Sequence, residues 1–281
     1  MVTFPNAKVN IGLDVLRRRP DGYHDISTVM IPVPWCDILE IVPGTTCDDT
    51  LSVSGRHVDC PPEKNLVIKA VKALREHCAF PPVDIFLNKI IPDGAGLGGG
   101  SSDAAFTLVA LNELFKLGLS KDRLAEIASV LGADCPFFIY NRPMLCEGTG
   151  TTLSPYALNL PDSLSVVIVK PAGVSVSTKE AYGGISPAVP ERDLPELLSS
   201  LPLDQWQKHI KNDFERSVFP LCPVIGDIKE RLIGMGALYA SMSGSGSSVY
   251  GFFEGDIMTD KVAAMFPGCD TLVSKLSLAK S

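Results

Sequence analysis

Between Gly94 and Gly100 five of seven residues are glycine, and the stretch runs Pro92-Asp93-Gly94-Ala95-Gly96-Leu97-Gly98-Gly99-Gly100-Ser101-Ser102 into an apolar helical pattern. Glycine lets the backbone take positive φ and lets a ligand approach with no Cβ in the way. The start of a helix presents unpaired N–H groups and a partial positive charge. Together these features favour bound phosphate. The expected ligand is a nucleotide or another phosphorylated molecule.

Several phosphate-binding architectures can be set aside. Gly94 to Gly99 also fits G-x-G-x-x-G, but the dinucleotide fingerprint needs an acid about 20 residues on, at the end of a second strand. Glu113 is at that distance yet falls inside the apolar helix. No lysine follows the glycines, so the loop is not of the Walker type, and H-R-D and D-F-G are absent, which excludes a protein kinase. A plain helix cap needs far fewer glycines.

The 281 residues suit one large domain or two medium ones, and 46% hydrophobic content fills a core. A net charge of −7 argues against a nucleic-acid partner. The one basic run, Arg17-Arg18-Arg19, precedes the turn residues Pro20-Asp21-Gly22, as a solvated hairpin tip or a charge near phosphate. The eight cysteines form no C-x-x-C pair or zinc-spaced cluster, so reduced thiols and no protein metal centre are expected. The start lacks signal-peptide regions and no apolar run reaches membrane-spanning length. A cytoplasmic protein without a membrane partner, monomeric or a weak homodimer, is the expectation.

Residues 8–16 alternate, with Val9, Ile11, Leu13 and Val15 on one face and Lys8, Asn10, Gly12 and Asp14 on the other. Strands are expected at 26–33, 36–42, 51–54 and 83–91, and helices from Asn65 to Cys78, from Ser102 to Leu117, and after Ser120. Pro155 and Pro161 bracket a linker, placing a boundary between domains 1–156 and 157–281. Beyond it, strands at 164–169, 237–242, 248–253 and 270–276 mix with helices at 194–201, 204–219, 223–234 and 259–266, an α+β sandwich. The run Ser243 to Ser248 contains only serine and glycine, which suits either a hairpin turn or a loop close to phosphate or substrate.

Three motifs occur in order: Pro5-Asn6-Ala7-Lys8-Val9-Asn10, the glycine loop, and Ser243-Gly244-Ser245-Gly246. Together they resemble the GHMP kinases, the family of galactokinase, homoserine kinase, mevalonate kinase and phosphomevalonate kinase. Asp21-Gly22-Tyr23-His24 and Leu131-Gly132-Ala133-Asp134-Cys135-Pro136 are similar to the branch acting on a cytidine-diphosphate-linked methylerythritol. The resemblance implies an α+β, two-domain GHMP kinase fold: an N-terminal α/β domain with a left-handed βαβ unit and a C-terminal ferredoxin-like domain. It also implies phosphorylation of the substrate's tertiary 2-hydroxyl by ATP with Mg2+, a step in the non-mevalonate route to isoprenoids.

By that resemblance Asp134 accepts the hydroxyl proton and Lys8 stabilises the developing charge. Residues 92–102 wrap the ATP phosphates, Ser102 is a candidate magnesium contact, and Asn65 lies where adenine is touched. Asn10, Tyr23 and His24 contact the cytidine substrate, with Thr178 and Tyr182 after Pro171-Ala172-Gly173-Val174-Ser175. From the residues alone Asp134 reads equally as a turn or cap before Pro136, Lys8 as a solvated strand lysine, Asn65 as a helix cap, and the tyrosines as packing. Two rivals are a GHMP kinase for a substrate without a base, which Tyr23-His24 opposes, and a non-enzymatic sensor, which Lys8 and Asp134 oppose.

Overall fold

The computed structural model describes residues 1–58 and 60–278. In chain order it contains β1 (Val2–Thr3), β2 (Asn6–Arg18), β3 (His24–Cys36), β4 (Ile38–Pro43), β5 (Thr50–Gly55), α1 (Leu66–Arg75), β6 (Val83–Lys89), α2 (Gly99–Leu114), α3 (Lys121–Ser129), α4 (Cys135–Tyr140), β7 (Met144–Gly148) and β8 (Thr152–Pro155). There follow β9 (Leu164–Pro171), α5 (Thr178–Gly183), α6 (Leu194–Ser200), α7 (Leu203–His209), α8 (Glu215–Leu221), α9 (Pro223–Gly234), β10 (Tyr239–Met242), β11 (Val249–Glu254), α10 (Thr259–Met265) and β12 (Cys269–Lys275).

Packing groups these residues into two units, each assembled from separate segments. The first holds Met1–Ala7, Trp35–Asp93 and Gly98–Asn141; the second holds Lys8–Pro34, Gly94–Leu97 and the chain from Arg142 onward. This partition differs from a linear cut at 156/157. The reason is pairing: β3 bonds antiparallel to β7 from Ile26↔Gly148 to Met30↔Met144, which joins the β2–β3 hairpin to the later chain.

In the first unit the sheet order is β1-β4-β6-β5. The β5 and β6 strands are parallel, with α1 as the crossover helix, so β5-α1-β6 is a βαβ unit. On β6 burial alternates: Val83, Ile85, Leu87 and Lys89 point inward and Phe86 outward. The α1 helix starts on Asn65, whose side chain accepts the Val67 N–H at 2.9 Å, and buries Val67, Ile68, Ala70, Val71 and Leu74. The α2 helix buries Ala104, Ala105, Leu108, Ala110 and Leu111, as a helix apolar on most sides must.

The second unit contains the sheet β2-β3-β7-β8 and an antiparallel sheet β10-β11-β9-β12. Reading β9, helices, β10, β11, α10, β12 in order gives the βαββαβ connection of a ferredoxin-like unit. All eight residues of β9 are buried because it is central in its sheet. The expected helix over 204–219 is two helices, α7 and α8, separated at 210–214. There Leu13 donates to the Lys211 carbonyl (2.9 Å) and Asp213 to the Leu13 carbonyl (2.8 Å), so the chain runs extended beside β2. The α2 helix begins at Gly99, three residues before the expected start, and β7, β8 and α5 are additional elements.

Candidate active site

In the first unit the glycine loop ends at Gly98, whose φ of 72° and ψ of 20° are left-handed. It starts α2 with no capping side chain. The N–H groups of Gly99, Gly100 and Ser101 therefore have no intrahelical acceptor, while Ser102 N–H donates to the Gly98 carbonyl at 2.9 Å. The Ser102 hydroxyl is fully buried and has no hydrogen-bond partner among the described residues. Uncapped amides beside an orphan hydroxyl suit an acceptor-rich ligand such as phosphate. Pro92 is buried and Asp93 exposed.

Beneath this turn lies a buried ionic cluster. The Lys89 ammonium donates to Asp103 at 2.6 Å and to Asp37. Asp37 also accepts the N–H groups of Ile90 (2.5 Å) and Ile91 (2.8 Å). The exit of β6, the entry of the loop and the first turn of α2 thus share one cluster. Burial pushes the Asp103 carboxyl up to about 7 against the pull of Lys89. Burial would lower the Lys89 pKa, but the charges of Asp103 and Asp37 outweigh it and raise it. Ser101 bonds the Cys135 thiol, which burial nevertheless drives up to about 11, favouring the protonated thiol. Asp134 immediately precedes α4 and is half-buried; its carboxylate makes no capping bond to that helix.

In the second unit Lys8 and Asn10 point the same way from β2 and are both buried. The Lys8 ammonium donates to Asn10 Oδ1 at 2.7 Å, and Asn10 Nδ2 donates to Thr28 Oγ1 at 3.1 Å. Residues 94–97 are tied down by backbone and side-chain bonds. Lys8 N–H donates to the Leu97 carbonyl (2.9 Å), Ser248 N–H to Ala95 (3.1 Å) and Ser243 Oγ to Gly96 (2.8 Å). A Cβ on Gly96 would fall 2.0 Å from the Ser243 carbonyl oxygen, so this glycine is required by close backbone approach. Asn212 braces the Ser/Gly turn, donating to the carbonyls of Met242 and Gly244, both at 2.8 Å. Glu215 accepts from the Met242 N–H at 2.9 Å and pairs with Lys229.

The His24 and Tyr182 rings stack, centroids 4.5 Å apart and 14° from parallel, and Phe214 meets Tyr182 edge-on at 4.7 Å. Burial raises the Tyr182 hydroxyl pKa. Tyr23 stands outside this stack and is 67% exposed. Thr178 is the exposed first residue of α5, set by the Ser177–Glu180 capping box. Arg17 and Arg19 at the hairpin tip pair with Asp25, and Arg19 also with Asp21.

The N-terminal domain of the GHMP kinases matches residues 65–142 and their C-terminal domain matches residues 185–268. The chain belongs to the GHMP kinase family, and the family implies ATP as phosphoryl donor. It is 53% identical over 255 residues to the 4-diphosphocytidyl-2-C-methyl-D-erythritol kinase of Parabacteroides distasonis, covering 90% of this chain and 92% of that one. A crystal structure of 4-(cytidine 5'-diphospho)-2C-methyl-D-erythritol kinase superposes with a TM-score of 0.79 at 32% identity, covering 97% of this chain and 98% of that one. Methanococcus jannaschii mevalonate kinase shares the fold, with a TM-score of 0.68 at 13% identity over 99% and 98% of the two chains.

Lys89, Asp37, Thr28, Asn212 and Glu215 were not among the residues singled out from the sequence. One signal was available: Lys89 continues the inward parity of Val83, Ile85 and Leu87, so alternation alone places a lysine on a buried face.

Proposed function

We propose that this chain transfers the γ-phosphoryl group of ATP to the 2-hydroxyl of 4-diphosphocytidyl-2-C-methyl-D-erythritol. The near full-length 53% identity to a kinase of that name carries the reading. Asp21-Gly22-Tyr23-His24, whose histidine stacks on Tyr182, supports a substrate with a base.

Each residue has a proposed role. Asp134 takes the proton of the 2-hydroxyl as its oxygen bonds the γ-phosphorus and the bond to the ADP oxygen breaks. Lys8 stabilises negative charge in the transition state, where phosphoryl transfer needs electrostatic support most. The amides of 98–101 and the loop 92–102 hold the phosphates, and Asn65 contacts adenine in addition to capping α1. Asn10 makes a polar contact to the substrate, and Tyr23, His24, Thr178 and Tyr182 bind its cytidine end. Among the described residues no group of three or more His, Cys, Asp or Glu could hold a metal. Magnesium would ride on the nucleotide phosphates and neutralise their charge, with the unpartnered Ser102 hydroxyl as its protein contact. No helix among the described residues is long and apolar enough to cross a membrane.

The test is coupled ADP release against a panel of alcohols. Turnover is expected with the diphosphocytidyl substrate, and faster turnover of mevalonate, homoserine or galactose would overturn the assignment.

A further inference from the structure

The geometry points to Thr28 as a positioning residue for Lys8, acting through Asn10; this rests on the role proposed above for Lys8. Thr28 is fully buried on β3, and its hydroxyl donates to the Gly12 carbonyl at 2.5 Å. A hydroxyl has one proton, and that bond uses it. Toward Asn10 the Thr28 oxygen can therefore only accept. Asn10 must turn its Nδ2 to Thr28 (3.1 Å) and its Oδ1 to the Lys8 ammonium (2.7 Å). A flipped amide would set NH2 against NH3+ and carbonyl oxygen against a hydroxyl whose proton is already committed. Both contacts would be lost in a buried place, where unpaired polar groups cost most.

The surroundings fix the same register. Gly12 has φ +62°, which turns its carbonyl out of the regular β2 pattern, and Thr28 takes it. The Asn10 carbonyl accepts from the buried Tyr250 hydroxyl at 2.8 Å. On the other side Gly244 packs on the pair: a Cβ there would lie 3.4 Å from Asn10 Oδ1 and 3.6 Å from Lys8 Nζ. The ammonium is thus held on one N–H by an amide whose orientation Thr28 dictates. Asn10 keeps only one N–H for substrate.

The experiment compares kcat and KM of Thr28→Val, Thr28→Ser and Lys8→Met with the parent on the diphosphocytidyl substrate and ATP. Thr28→Val keeps the shape and removes the hydroxyl. It should lower kcat roughly tenfold, the effect of one misplaced hydrogen bond felt in the transition state, with the KM for ATP nearly unchanged. Thr28→Ser restores the hydroxyl and should recover most of kcat. A Thr28→Val enzyme with parental kcat beside an inactive Lys8→Met overturns the relay alone, even if its melting temperature falls. Failure of Thr28→Ser to recover kcat overturns it too. An active Lys8→Met enzyme removes the role of Lys8 and the relay with it. Should Thr28→Val not fold, Thr28→Cys, of similar volume and a poor donor, is read by the same criteria.

Discussion

Asp134 stands just before α4, where an aspartate commonly caps, yet its side chain makes no capping hydrogen bond to the helix. Removing its charge should therefore leave α4 intact. Asp134→Asn keeps size and shape, and general-base contributions are typically about 10²–10⁴-fold. The expected outcome is a fall in kcat of that order, with KM and the thermal midpoint close to the parent. Steady-state kinetics and a melting curve on the same preparation check it, and a fully active Asp134→Asn enzyme would make this a turn residue. The cap reading and the chemical reading could not be separated from Asp134-Cys135-Pro136 alone, because both need the same residue type at the same place. Asn65 shows the opposite case. The cap foreseen from its position is made, by an Asn65 side chain that accepts the Val67 N–H.

At the scale of elements, the glycines from the loop after β6 into the first turn of α2 divide into different jobs. Gly96 has φ +72° and its missing Cβ leaves 2.0 Å to the Ser243 carbonyl, whereas nothing lies closer than 3.8 Å to a Cβ on Gly100. Gly96→Ala should destabilise by about 2–3 kcal/mol, from left-handed strain and displaced backbone. Gly100→Ala sits in the first turn of α2 and should keep or raise stability by up to about 1 kcal/mol. It should still weaken ATP binding, because the methyl stands beside the uncapped amides. Urea unfolding and calorimetry with ATP distinguish the two; equal ATP affinity in Gly100→Ala would show that phosphate does not approach that turn. The local elements here were legible from alternation and helical spacing: β6, α1 and the helix after the loop all follow the apolar pattern. The interruption at 210–214 was not. Its helical spacing continues through Ile210, and what breaks the helix is long-range, the backbone pairing with Leu13 and the bonds from Asn212 to Met242 and Gly244. The Lys89 cluster was hidden for the same reason, since Asp37 and Asp103 lie 52 and 14 residues from Lys89 in the chain.

Across the whole chain, each unit is stitched from segments far apart in sequence, which is why the linker-like composition near 155–162 could not foretell that residues 8–34 join the later half. Both units also hold an acid at a cost. The Asp103 carboxyl is raised to about 7 in the first unit, and Asp14 in the second is raised from 3.8 to about 6 by burial and then by the charge of Asp213. A carboxyl with a higher pKa folded than unfolded keeps its proton in the native state after the unfolded chain has released it. Stability then falls as pH rises between the two values. Asp25, Asp49, Asp84 and Glu180 are lowered by hydrogen bonds, so their contribution is lost at the other end, as pH drops through the acidic range. Asp14→Asn isolates the first effect, because Asn carries no charge toward Asp213. Well below the unfolded value of 3.8 variant and parent should be nearly equally stable, both side chains being neutral. From there to pH 7 the variant should gain, reaching about 1–2 kcal/mol once the pKa difference is discounted for partial exposure. Urea midpoints at about pH 3 and pH 8 measure it. Parallel behaviour of the two proteins across that range would mean that Asp14 ionises in the folded chain as easily as in the unfolded one.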